Sequence, residues 1–565
     1  MDRDSMRTWC ALALLIGLSV PPASAQQAAA DLPARIDRVF ARFDRTSPGC
    51  AVGLAKDGRT LYTHGYGLAN LEYDVPLTDS TVLESGSVAK QFTASALVLL
   101  AQDGKLSLDD DIRKYLPEVP DFGHTITIRN LLTHTSGLRD QWGLLGIEGL
   151  GPGTQVHSPM TTLDLAAHQK MLNFPPGSAY LYSNTGYALA GLIVQRVSGQ
   201  TLNAFTQARL FRPLGMTHTL WRDDFTRVVA NRATAYSGAA PGYHTDMPFT
   251  NMVGNGGLLS TMRDLLAWNQ NLDDPKVGGP RYVATMETPM RLNGGRAITY
   301  ALGLEVVRYD GVREVGHSGS TAGYRTFLAR YPEQHVSVAV WCNYANANPT
   351  LLAHQVVDLV LTKPPRAPTQ AGVSSARVSA AELVKWAGGY RDGFTDQFVR
   401  LEASGDGLRM AGGRGGRGGG GAFVPEGEAR FHSGMGEAVF AASAPHRRFT
   451  LVRPSGDTAV FEEVPPAPVS LEVNDFTGAY ASDELDVRFT ITARDGKLIM
   501  HRRPADEFEL RPVYRDDFQP TGRGGGGGGG GLGTMRFARD AKGRVTGFSF
   551  YAGRVLDVRF TRVER

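Results

Sequence analysis

Between residues 32 and 362 the apolar positions follow two different periods. Over Lys90–Asp103, Leu163–Leu172, Tyr187–Val197 and Met262–Leu272 they recur every three or four residues with polar positions between them, which predicts helices. Ser260-Thr261, just before Asp264, supplies an N-cap for the last of these. Over Ala51–Ala55 and Thr60–Gly65, joined by an Asp57-Gly58 turn, and again over Tyr324–Tyr331 and Val336–Asn343, the pattern is that of strands. Both hairpins can share one sheet, and the mixture makes residues 26–365 a single large α/β unit.

The mixed pattern stops at Lys363-Pro364-Pro365-Arg366-Ala367-Pro368, because such a run continues neither a helix nor a central strand. Downstream, helical periodicity almost vanishes. Short alternating strands replace it, such as Asp486–Thr492 and Lys497–His501 around the turn Arg494-Asp495-Gly496. A repeat is visible: Trp386-Ala387-Gly388-Gly389-Tyr390 with Gly407-Leu408-Arg409-Met410 returns as Phe476-Thr477-Gly478-Ala479-Tyr480 with Gly496-Lys497-Leu498-Ile499-Met500. The expectation is two all-β, barrel-like repeats, 375–465 and 470–565, with Pro465-Pro466-Ala467-Pro468 between them. Each carries a glycine-rich insertion, Gly412–Gly421 (broken by Arg414 and Arg417) and Gly524–Gly531, with no apolar surface to bury, so both read as disordered loops.

Composition changes this picture little. The chain of 565 residues is 42% hydrophobic, 20% charged and 9% aromatic with a net charge of +3, which describes an ordinary globular protein without a polyanionic partner. The Arg-Gly-Gly triplets lack interleaved aromatics, so nucleic acid is not expected as a partner. The N-terminus adds a compartment. Arg3 and Arg7 precede an apolar run from Trp9 to Val20 and the small residues Ala23-Ser24-Ala25, the pattern of a signal peptide over 1–25. The run is shorter than the roughly 20 residues of a membrane span. Asp2 and Asp4 weaken the positive start, which keeps an uncleaved anchor as the lesser alternative. The first reading implies a periplasmic or secreted protein with no span in the mature chain. It leaves Cys50 and Cys342 in an oxidising compartment, as one bridge or as two buried thiols.

The candidate chemistry begins at Ser87-Val88-Ala89-Lys90. A serine and a lysine three apart at the start of a helix share one face, so the amine can reach the hydroxyl it must activate. A lysine serves as base only where a dry, positively biased site pulls its pKa toward neutrality. Tyr182-Ser183-Asn184 and His317-Ser318-Gly319 follow in the chain and contribute two further titratable groups, Tyr182 and His317. No His-Glu-x-x-His pattern or close histidine cluster points to a metal, and no cofactor is expected.

These three groups stand in longer stretches: GSVAKQFT from Gly86, IRNLLTHTSGL from Ile128, PGSAYLYSNTGYALAG from Pro176, PLGM from Pro213 and GNGGLLSTMRD from Gly254. Together they resemble the beta-lactamase-related serine hydrolases, a penicillin-recognising group of class C beta-lactamases, D-alanyl-D-alanine carboxypeptidases, D-aminopeptidases and esterases. The resemblance implies a mainly antiparallel five-stranded sheet flanked by helices plus a helical region. It also implies that Cys50 and Cys342 lie on adjacent strands, which favours the bridge. Ser87 is then the nucleophile, Lys90 and Tyr182 the groups that move its proton, with the choice of base open. Asn184 orients Lys90 and holds the substrate, and the N–H groups of Ser87 and Ser320 form the oxyanion hole beside His317 and Gly319.

Many relatives have Lys-Thr-Gly where this chain has His317-Ser318-Gly319. A histidine is mostly neutral near pH 7, so recognition of a substrate carboxylate there should weaken. The D-aminopeptidase type resembles this chain in its histidine and its paired C-terminal barrels, and in that type a loop of the last barrel brings an acidic residue to the substrate amine. Asp506 is the candidate for that residue, against the plainer reading of a surface aspartate without a role. The expected activity is hydrolysis of a small amide, peptide or ester through a Ser87 acyl-enzyme, first of all as a D-aminopeptidase. Alternatives are a carboxylesterase, a weak beta-lactamase or D-alanyl-D-alanine carboxypeptidase, and an inactive cell-wall peptide-binding protein. The partner is a small-molecule or peptide substrate, and a homodimer is compatible with the sequence.

Overall fold

The computed structural model describes residues 23–364, 378–411, 422–427, 429–433, 435–443, 446–453, 458–467, 472–502, 505–522 and 532–564. Most of the expected signal peptide, both glycine-rich insertions, and parts of both proline runs lie outside these residues.

The catalytic unit is built on one antiparallel sheet in the order Glu305–Tyr309, Val312–Thr321, Tyr324–Tyr331, Val336–Cys342, Cys50–Lys56, Arg59–Tyr66. It has six strands where five are expected. The Asp310-Gly311 pair, both residues at positive φ, turns the chain so that Tyr309 pairs with Val312 and a further edge strand forms. Cys50 pairs directly with Cys342 in the register, and the two form a disulfide.

Alternation along the central strand divides the unit into two cores. Ala339 and Trp341 face a core shared with the helices Lys90–Gln102, Asn184–Ser198 and Met262–Asp273. Val338 and Val340 face the other, closed by the helices Ala23–Phe40 and Pro349–Val357. The cap read at Thr261 is present, its side chain accepting from Asp264 N. The helix expected over Leu163–Leu172 instead runs Pro159–His168 behind a Ser158 capping box. Beyond it, Gln169 Oε1 accepts from Arg139 at 2.9 Å and Lys170 N donates to Glu484 Oε1 at 2.6 Å, so contacts with the last barrel end it early.

Each repeat makes eight strands. Those from Gly388 to Val464 form one sheet whose end strands meet at the Leu408–Phe423 bridge, and those from Gly478 to Val563 form a closed barrel. Among the described residues no helix is long and apolar enough to cross a membrane.

Candidate active site

Ser87 lies on the single turn Gly86–Ala89 that leads into the helix Lys90–Gln102. Gly86 has φ +51°, and a Cβ there would stand 2.5 Å from the Ser320 nitrogen, so glycine is needed on both counts. A Cβ at Gly319 would come within 3.0 Å of the Ser87 nitrogen. The turn and the strand Val312–Thr321 therefore meet main chain to main chain, and from the neighbouring strand Tyr324–Tyr331 the Thr326 Oγ1 donates to the Ser85 carbonyl at 2.7 Å. The Ser87 and Ser320 N–H groups belong to this one junction.

Lys90 is completely buried. Its Nζ reaches Ser87 Oγ at 3.1 Å, Asn184 Oδ1 at 3.0 Å and the Asn255 carbonyl at 2.6 Å. Burial pulls its pKa well below the usual lysine range, the positive charge of Arg554 pulls it further, and Asp140 opposes both. The Asn184 amide is fixed in direction, because its N and Nδ2 donate to Asp140 Oδ2 at 2.7 and 2.9 Å, leaving Oδ1 for the lysine. Two of the three oxygens around Nζ can only accept. A neutral amine satisfies them with its two hydrogens, and its lone pair is then left for the Ser87 hydroxyl. Tyr182 Oη donates to Ser87 Oγ at 2.8 Å, and burial keeps the phenol protonated, its pKa raised far above the ordinary value.

His317 is 3% exposed and faces protein on both sides. Its Nδ1 lies on the Ser318 carbonyl, which accepts only, so Nδ1 carries the hydrogen and Nε2 accepts from Tyr300 Oη at 2.8 Å. Burial, reinforced by the nearby Lys90 charge, pushes its pKa down to about 3. The ring is neutral, and its two nitrogens are engaged by Tyr300 and the Ser318 carbonyl, so His317 positions Tyr300.

Sequence reasoning missed Asp140 and His134, besides Tyr300 and the residues the last barrel brings. Asp140 braces Asn184, and the signal available was its place as a helix N-cap directly after the THTSGL stretch. His134, inside that stretch, accepts from Ser183 N at 3.1 Å and stacks on Tyr182 with ring centroids 4.0 Å apart. Burial holds it neutral.

The last barrel reaches this site through the turn between the strands Val545–Ala552 and Val555–Val563. The Arg554 carbonyl accepts from Asp140 N at 3.3 Å and from Asn173 Nδ2 at 2.9 Å. Its guanidinium stands 4.5 Å over the Tyr182 ring. Beside it, Arg139 is fully buried, with Nη1 at 3.0 Å from both Glu484 oxygens and with Nε and Nη2 on the Leu556 and Asp557 carbonyls at 2.9 Å. Asp506 is elsewhere. It pairs with Arg502, which caps the Gly146 and Ile147 carbonyls at the opposite end of the helix Gln141–Glu148 from Asp140, about 10 Å away at 1.5 Å per residue. The group this barrel brings to the site is a cation, where an acid was expected.

The D-aminopeptidase of Brucella anthropi is 27% identical over 539 residues, covering 92% of this chain and 96% of that protein. A D-aminopeptidase of Cereibacter sphaeroides is 27% identical over 450 residues, covering 80% and 82%. Among solved structures, the octameric penicillin-binding protein homologue from Pyrococcus abyssi shares the fold with a TM-score of 0.53 at 24% identity, over 85% of this chain and 99% of that one. The beta-lactamase family model matches residues 36–363, the segment that holds Ser87, Lys90, Tyr182 and the His317 strand, so the chain belongs to the beta-lactamase family as a serine hydrolase.

Proposed function

We propose that this hydrolase is an exported D-aminopeptidase, cleaving the amide bond after an N-terminal D-residue through an acyl-enzyme on Ser87. The observation that carries the mechanism is the lysine with two carbonyl acceptors and a serine hydroxyl as its three neighbours. The neutral Lys90 amine takes the Ser87 proton as Oγ bonds to the carbonyl carbon. The Ser87 and Ser320 N–H groups receive the developing oxyanion, a contribution of roughly 3–4 kcal/mol per donor. As the C–N bond breaks, Tyr182 gives its proton to the leaving nitrogen and Lys90 returns one to Tyr182. Water then attacks the ester, its proton passes back through the same pair, and Ser87 is restored with release of the acid.

The choice of substrate rests on the two full-length relatives. The negative charge of Glu305 reaches both Tyr182 and Tyr300. Export is supported by the N-terminal pattern and by the Cys50–Cys342 disulfide, which suits an oxidising compartment. The test is turnover of D- and L-alanine p-nitroanilide, with intact mass after a fluorophosphonate, in wild type and Ser87→Ala. Labelling and D-selective turnover, both lost in the variant, support the reading. Labelling with ester turnover alone would make the protein an esterase, and no adduct would make it a binding protein.

A further inference from the structure

The Arg554 side chain is not needed to dock its own hairpin. The docking is done by its main-chain carbonyl, on Asp140 N and Asn173 Nδ2, and by the Leu556 and Asp557 carbonyls on Arg139. The guanidinium is half exposed, and its Nη1 stands 3.9 Å from Asp140 Oδ2, beyond hydrogen-bond reach. That carboxylate already accepts from Asn184 twice and from Trp142 N. A planar five-donor cation therefore lies on the face of the tyrosine whose hydroxyl meets the nucleophile, with its donors left for something else.

The position identifies what that is. Tyr182 protonates the leaving nitrogen, so the leaving group passes over Tyr182. In an amino-acid leaving group the carboxylate carbon is two bonds from that nitrogen, about 2.5 Å away. We propose that Arg554, supplied by the last barrel, binds the free carboxylate of the residue leaving from the scissile bond, so that the preferred substrates are dipeptide-sized and carry a free C-terminus. This rests on the acyl-transfer reading of Ser87 and adds a specificity-determining residue to it. Arg554 also returns to the site, from a different domain, the carboxylate-binding cation that His317 does not provide.

The test compares D-alanylglycine with D-alanylglycinamide, which differ only in that carboxylate, by the initial rate of D-alanine release. The same pair is compared as competitors of Ser87 labelling by a fluorophosphonate, which needs no turnover. The wild type should favour the carboxylate by about tenfold or more, carried mainly in KM, as expected for a charge-assisted pair. Arg554→Ala should bring the ratio to about one, and Arg554→Lys should restore part of it, which a merely structural role would not do. An equal ratio in wild type and Arg554→Ala, or a wild-type preference for the amide, overturns the inference while labelling still upholds Ser87. Absence of any labelling removes the acyl-transfer reading and the inference with it.

Discussion

The two C-terminal repeats share strand number and signature residues; the first meets the catalytic unit at the Phe174–Phe394 ring contact, and the second shares a buried apolar cluster with it. The buried cluster of the first, from Leu383 to Phe461, is made wholly of its own residues. The cluster of the second includes Leu144, Leu145, Ile147 and Leu165 from the catalytic unit, packed with barrel residues such as Tyr480, Phe489 and Phe548. The helix Gln141–Glu148 thus gives its apolar side to the barrel and its N-cap, Asp140, to the active site. Two copies of one module have become different things: a satellite with its own core, and a wall of the site.

The sharpest way to break this comparison is to remove each repeat in turn. Ending the chain after residue 470 should abolish turnover and Ser87 labelling, because Asp140, Asn173 and Arg139 lose their partners and Leu144 and Leu145 lose their cover. Replacing 378–467 with a flexible linker should leave both measurable. Next in size are the ion pairs. Glu484→Ala strands a fully buried Arg139 and should cost about 3–5 kcal/mol in denaturant unfolding. Glu463→Ala in the first repeat breaks a half-buried pair with Arg447 and should cost about 1 kcal/mol or less. Leu145→Ala and Leu383→Ala each empty a buried site and should each cost about 2–5 kcal/mol. Only the first should also lower kcat, read below the unfolding transition, since it alone lies on the helix that carries Asp140.

The smallest expected effect is on pH dependence. Activity requires neutral Lys90, so kcat/KM should rise with pH through the depressed lysine pKa. Arg554 contributes to that depression, so removing its charge makes protonation easier and moves the rising limb to higher pH. The profile of Arg554→Ala against wild type on an uncharged ester should shift by less than about one unit, as an exposed charge is screened.

How much of this was legible follows the same division. Ser87, Lys90, Tyr182 and Asn184 sit in local stretches whose spacing has chemical meaning, and the structure brings them together. The central hairpins were legible because Asp57-Gly58 and strand alternation are local signals, whereas the adjacency of the Cys50 and Cys342 strands, 292 residues apart, came only from the family resemblance. What was hidden depends on contacts remote in sequence. The helix near residue 163 ends early because Glu484, in another domain, takes the Lys170 N–H. Arg554 reads as an ordinary turn arginine until the barrel is docked. Asp506 was chosen by alignment with a type whose loop is acidic, and no local feature of its strand says which end of a distant helix it will face. The neutrality of His317 is set by Tyr300 and by burial, neither visible in the three-residue stretch around it.

The shared core also sets a timetable. The helix that fills the second barrel is finished roughly 400 residues before the barrel's last strand emerges, some 20–80 s at ordinary rates of synthesis. Through that interval Leu144, Leu145 and Ile147 wait without their partner, so the newborn catalytic unit carries a sticky, half-dressed helix until the final hairpin arrives. Completing the chain, cladding that helix and bringing Arg554 over the Tyr182 ring are one event, and a chain cut short before it should be both aggregation-prone and inert.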